Sequence, residues 1–163
     1  MQTSYGYDPA VALEGGLVDL ADSVLDTCIA SQAVSFGRFV HRIAGGAADD
    51  RPPRCELPAA SASVTDSSAL GFVVAETTRE APGTYAADDV MRFLRRGRIW
   101  MIAEDAVAAR GTPVFVRFAA GTFATLGAVR TDADVATAVA LPGARFGSVA
   151  GIGDLVVVEY YPS

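Results

Sequence analysis

Apolar positions in this chain come in short alternating or continuous runs, broken by turn-forming residues. Val114-Phe-Val-Arg-Phe118 alternates along its length, while Leu70-Gly-Phe-Val-Val-Ala75 is an uninterrupted apolar block between a Ser-rich and a Thr/Glu-rich flank. Both patterns have the length and β-branched or aromatic content of strands. The same reasoning predicts strands at Cys28–Gln32, Val34–Ile43, Arg54–Leu57, Thr122–Val129, Val135–Leu141, Ala144–Val149 and Leu155–Tyr161. Between Val90 and Glu104 two strand-like runs flank Gly97, which predicts either one strand bent at a glycine bulge or two strands of a tight hairpin. Gly45-Gly46, Asp49-Asp50 and Pro52-Pro53 mark a surface loop from Ala44 to Pro53. Short strands with turn signals roughly every 8–12 residues predict an all-β barrel or sandwich.

The first 26 residues differ. Val11, Leu13, Leu17, Val18 and Leu20 carry a helical spacing that Gly15-Gly16 interrupts. Residues 1–26 are therefore expected to form an extended arm, and residues 27–163 a single β-rich domain. A chain of 163 residues suits one domain with its own core.

Charge narrows the partners. Nineteen acidic residues outweigh 13 basic ones, for a net charge of −6. Phosphate neutralisation supplies most nucleic-acid affinity, so this balance argues against direct nucleic-acid binding. All 13 basic residues are arginines, whose forked, weakly hydrated guanidinium suits protein interfaces. The start of the chain lacks the basic and apolar regions of a signal peptide, and no apolar run is long enough to cross a bilayer, so a soluble intracellular product is expected. Cys28 and Cys55 lie outside any C-x-x-C pair and are expected to be reduced, buried hydrophobes.

Motifs for chemistry are sparse. His41, the single histidine, would need Cys28 or Ser35 as a nucleophile, and neither sits in a nucleophile elbow. Asp132-Ala-Asp134, Asp49-Asp50 and Asp88-Asp89 lack the glycine and bidentate glutamate of a calcium loop and read as solvated acids. The glycine-rich Gly147–Gly153 stretch is followed by a strand rather than a helix, so it reads as a hairpin loop, not a phosphate cradle. Arg92, Arg95, Arg96 and Arg98, interleaved with Phe93 and Trp100, form the one dense basic cluster. Asp88, Asp89, Glu104 and Asp105 bracket it, which favours cross-strand pairing or a protein interface over nucleic-acid stacking. No catalytic constellation, metal site or cofactor is expected.

Arg95-Arg-Gly-Arg-Ile-Trp-Met101, Ala106-Val-Ala-Ala-Arg-Gly-Thr-Pro-Val-Phe-Val-Arg117 and Ala138-Val-Ala-Leu-Pro-Gly-Ala-Arg-Phe146 resemble the structural cement, or capsid decoration, proteins of tailed bacteriophages. Val34-Ser-Phe-Gly-Arg-Phe-Val40 and Leu70–Ala75 are similar to that family's early strands. The resemblance implies a β-barrel or jelly-roll-like domain on the outside of an HK97-type shell in the virion. It also implies a non-enzymatic homo-oligomer, dimer or trimer, that bridges major capsid protein subunits against the pressure of packaged DNA. With no membrane or nucleic-acid partner expected, the capsid or oligomer contacts fall to Tyr5, Tyr7 and Leu17 of the arm and to Arg92, Arg95, Arg96, Arg98 and Trp100. The alternatives are a head–tail or tail component of the virion and a small ligand-binding barrel or enzyme built around His41.

Overall fold

The computed structural model describes residues 12–43, 52–76, 83–120 and 125–163. In chain order the elements are β1 (Val24–Ala30), β2 (Val34–Ser35), β3 (Phe39–Arg42), β4 (Arg54–Glu56), the single helical turn α1 (Ala62–Thr65), β5 (Ala69–Val73), β6 (Thr84–Tyr85), β7 (Val90–Ile102), β8 (Pro113–Arg117), β9 (Val129–Arg130), β10 (Ala138–Phe146) and β11 (Leu155–Tyr160). The chain is nearly all β, as its alternating pattern implies.

The strands of the main sheet run in the order β1-β4-β3-β5-β7-β11-β10-β8-β9, and an additional β1–β7 pairing closes the first half into a small barrel. In the second half, a parallel bridge from Ala103 to Val129 brings β9 back beside the end of β7. Both halves therefore hang on β7, a continuous strand of 13 residues. This selects the single bent strand over the hairpin at Gly97. The bend lies at Arg95, where the β1 register skips from Leu25↔Leu94 to Val24↔Arg96. The buried side follows the slip, with Met91 and Phe93 facing one core and Ile99 and Met101 the other.

The smaller core gathers Val34, Phe36, Val40, Val73, Tyr85, Met91 and Phe93. The larger one holds Phe39, Phe72, Leu94, Val114, Val116, Phe146, Val158 and Tyr160 among others. Phe39 and Tyr160 each meet Phe72 edge to face, with ring centroids 5.4 and 5.6 Å apart. Gly71, with φ of 154°, crosses so close to β7 that a Cβ there would overlap the Leu94 carbonyl.

Several sequence expectations need correction. Cys28 and Cys55 are joined by a disulfide with a Cα–Cα distance of 6.1 Å. Parallel pairing of β1 with β4, Ile29 opposite Arg54 and Ala30 opposite Cys55, sets the two side by side, within normal bridging range. The predicted strands Val135–Leu141 and Ala144–Val149 merge into β10. It pairs with β8 at Ala138–Ala140 and, after a register shift, again at Arg145, while its end from Ala144 to Phe146 also pairs with β11. Pro142, which has no N–H to donate, sits in that irregular stretch with Gly143 at φ of 76°. The start of β1 also lies earlier than the arm boundary at residue 26, because Val24–Asp26 already pair with β7. The predicted loop from Ala44 to Pro53 falls mostly outside the described residues.

Candidate functional site

Segment 15–18 runs along β7: Gly15 N donates to Trp100 O at 2.7 Å, Trp100 N to Gly16 O at 2.8 Å, and Val18 N to Arg98 O at 3.1 Å. Leu17 bridges Ile99 and packs partly against the larger core, so its side chain serves the fold of its own chain. Trp100 is half-buried, and Arg92, Arg95 and Arg96 are exposed. Arg95 lies 3.7 Å from Asp26, Arg98 lies 3.4 Å from Asp19, and the Arg96 guanidinium stands 5.4 Å from the centre of the Tyr161 ring. Of the expected contact residues, β7 thus gathers Arg92, Arg95, Arg96, Arg98 and Trp100 on one strand with Leu17 beside it. Tyr5 and Tyr7 lie outside the described residues.

Of the acids that bracket the arginines in sequence, Asp88, Glu104 and Asp105 have their main partners elsewhere. A continuous strand of this length spans about 40 Å, which carries Asp88 and Glu104 to opposite ends. Asp88 pairs with Arg54 at 2.5 Å. Glu104 and Asp105 instead join a charge network that the sequence reading missed.

That network is the most elaborate polar assembly among the described residues. Arg117, fully buried on β8, donates from Nε to both Glu104 oxygens at 3.0 and 2.8 Å, from Nη2 to Asp134 Oδ2 at 2.8 Å, and from Nη1 to Thr137 Oγ1 at 2.9 Å. Arg130, buried on β9, donates from Nη2 to Asp132 Oδ1 at 2.6 Å and brings Nη1 to 3.0 Å from Asp134 Oδ2. Asp105 accepts from Thr131 N and, at 2.6 Å, from Thr131 Oγ1. The hydrogen bond from Arg117 holds the Asp134 carboxyl below the usual carboxylate range, with help from Thr137 and Arg130. Burial alone would lower the Arg117 pKa, but bonds to Glu104 and Asp134 outweigh it and raise the group further. Asp132 and Asp134 are therefore ion-paired anchors, where the sequence suggested solvated loop acids. The signal available in the sequence was an arginine in each of two apolar strands, followed closely by this acidic pair.

The candidates for catalysis disperse. His41 is buried on β3, with Nε2 3.5 Å from Glu56 Oε1. Cys28 is consumed in the disulfide, and Ser35 Oγ lies 3.3 Å from Thr84 Oγ1. The Gly147–Gly153 stretch connects β10 to β11, with Gly147 N donating to Val157 O at 2.7 Å, so it is a hairpin loop.

With the fold and its side chains placed, comparison with known proteins decides the family. The family model described as "Structural cement protein (E217 gp24/Pam3 gp6)" matches residues 1–161. The chain belongs to the phage structural cement family. It is a structural protein associated with the capsid, in agreement with the resemblance carried by the Arg95–Met101 and Ala106–Arg117 motifs. The cement fold resembles a solved structure described as "The capsid of Myoviridae Phage XM1", with a TM-score of 0.69 and 16% identity over 98% of this chain and 97% of the other. A second solved structure, "The crystal structure of head fiber gp8.5 N base in bacteriophage phi29", aligns with a TM-score of 0.49 and 15% identity over 85% of this chain and 94% of the other. Among curated proteins no match to the cement chain is found.

Proposed function

We propose that this cement protein binds the outer surface of an HK97-type shell as a small homo-oligomer, bridging major capsid protein subunits and holding them against the outward pressure of packaged DNA. The observation that carries this is the family match over almost the whole chain. The work is mechanical and needs no catalysis. A lattice-bound clamp gains avidity by making several modest contacts at once, and the surface offers material for them. Arg92, Arg95 and Arg96 are exposed along β7, and the hairpin loop after β10 leaves Val149 and Ile152 exposed. Arginine and aromatic residues are favoured anchors of such contacts. The residues ahead of the 15–18 pairing act as the arm, with Tyr5 and Tyr7 adding contacts to a neighbouring subunit.

Heads stripped of the protein provide the test. Charge-neutral Arg92→Gln, Arg95→Gln and Arg96→Gln together are expected to lower occupancy, as is removal of residues 1–11, which spares the 15–18 pairing with β7. Unchanged occupancy in both variants would remove these surfaces from the interface.

A further inference from the structure

The turn between β9 and β10 is built against the backbone preferences of its residues. Asp134, Val135 and Ala136 have φ of 40°, 53° and 69°. Three successive side-chain-bearing residues, one of them β-branched, thus occupy the left-handed region where glycine and asparagine are at home. Such backbone persists only where its surroundings over-determine it. Here Arg117 grips Asp134 and Thr137, and Arg130 grips Asp132. Both arginines are buried, so the grip is anchored in the sheet itself.

What this scaffold presents is Val135, 97% exposed at the apex. Strain and an exposed isopropyl group both cost stability, and the Val135 side chain returns almost nothing by burial within its own chain. Holding an apolar group rigid before association removes the ordering cost of binding, which gives the arrangement a purpose.

We propose that the Asp132–Thr137 turn is a rigid docking knob, with Val135 seating in an apolar pocket of a capsid subunit. The proposal rests on the cement reading above. Charge specifies the rim of that pocket. Glu104, Asp105, Asp132 and Asp134 outnumber Arg117 and Arg130, and the Asp132 side chain is 67% exposed beside the apex. The receiving pocket is therefore bordered by basic side chains. A second copy of this chain is the poorer occupant, since the acidic rim of the turn would then meet a surface of net charge −6, and contacts between copies fall to other faces.

Val135→Gly separates the knob from a merely structural turn. Glycine accepts the left-handed backbone while deleting the apolar group, so stability and binding should part company. The melting temperature should equal or exceed that of the wild type, while affinity for shells assembled without the cement protein falls about tenfold or more. If Val135→Gly lowers both, Val135→Asn, which also tolerates this backbone, decides: lost binding at wild-type stability supports the knob, and retained binding overturns it. Wild-type shell binding with an unimpaired Val135→Gly overturns the knob alone. A wild type that does not bind shells overturns the cement reading and the knob with it. Self-association in sedimentation without shells, abolished by Val135→Gly, overturns the assignment to a capsid subunit in favour of a second copy.

Discussion

Arg117 donates its Nε–H to both carboxylate oxygens of Glu104, at 3.0 and 2.8 Å, from a position with no solvent exposure. A guanidinium stripped of water survives in such a place only because Glu104, Asp134 and Thr137 together replace its hydration. The arrangement ties β8 to the end of β7 and to the turn before β10.

Arg117→Met should therefore be severe. It leaves Glu104 and Asp134 without their principal cation, and breaking a buried pair in this way costs about 3–5 kcal/mol. Chemical denaturation at neutral pH measures it, and a loss under about 1 kcal/mol would show that the network adds little.

The network also gives stability a pH dependence. Arg117 holds Asp134 below the ordinary carboxylate range, and the Ser68 side chain does the same for Asp66. A carboxyl with a depressed folded pKa contributes stability above its unfolded pKa of about 3.9, and this is lost as pH falls through the folded value. Glu14 has the opposite sign. Burial pushes its carboxyl up against the pull of Arg38, so it costs stability as pH rises from the ordinary glutamate range through its raised folded pKa. Melting temperature should thus drop between about pH 5 and pH 2, and Asp134→Asn should flatten the decline. A wild-type profile flat through that range would contradict the assignment.

Reduction should loosen the first barrel. The Cys28–Cys55 bridge spans a sequence separation of 27 and joins β1 to β4, a strand of only three residues. Chain-entropy reasoning gives such a bridge about 3–4 kcal/mol. Cys28→Ser with Cys55→Ser, or thiol reductant during unfolding, should lower the denaturant midpoint accordingly. Thiol labelling of the unfolded, unreduced protein should find no free thiol; two labelled cysteines would overturn the bridge.

Gly71→Ala tests the crossing of β5 and β7. The added methyl would overlap the Leu94 carbonyl, and φ of 154° disfavours any side chain. A loss of roughly 2–4 kcal/mol is expected. Gly111→Ala shares the positive φ but has open space around it, and should cost less.

Local signals carried much of this fold. Where apolar alternation and turn residues agree, as at Leu70–Ala75, Val114–Phe118 and Leu155–Tyr161, the expected strands fall on β5, β8 and β11 with small offsets. The family was legible too, because its motifs lie in continuous stretches. What stayed hidden depends on pairing between distant segments. Nothing near Cys28 announces that a parallel strand will place Cys55 beside it. Likewise Glu104 and Arg117 look like unrelated charges until β7 continues past Gly97 as one strand and sends Glu104 to the far end from Asp88. Pro142-Gly143 signals a break, yet one strand absorbs it by shifting its register against β8. The site followed the same rule: β7 collects the arginines, but their partners Asp19 and Asp26 come from the start of the chain.

The central claim, that this protein clamps capsid subunits from outside, is tested most directly by a reconstruction of the phage particle that carries it. Density fitting this two-lobed barrel is expected on the outer shell, each copy or oligomer touching two or more major capsid protein chains and β7 or the Val135 turn lying at a contact. Density confined to the tail or the head–tail junction, or copies each resting on a single capsid chain, would contradict it.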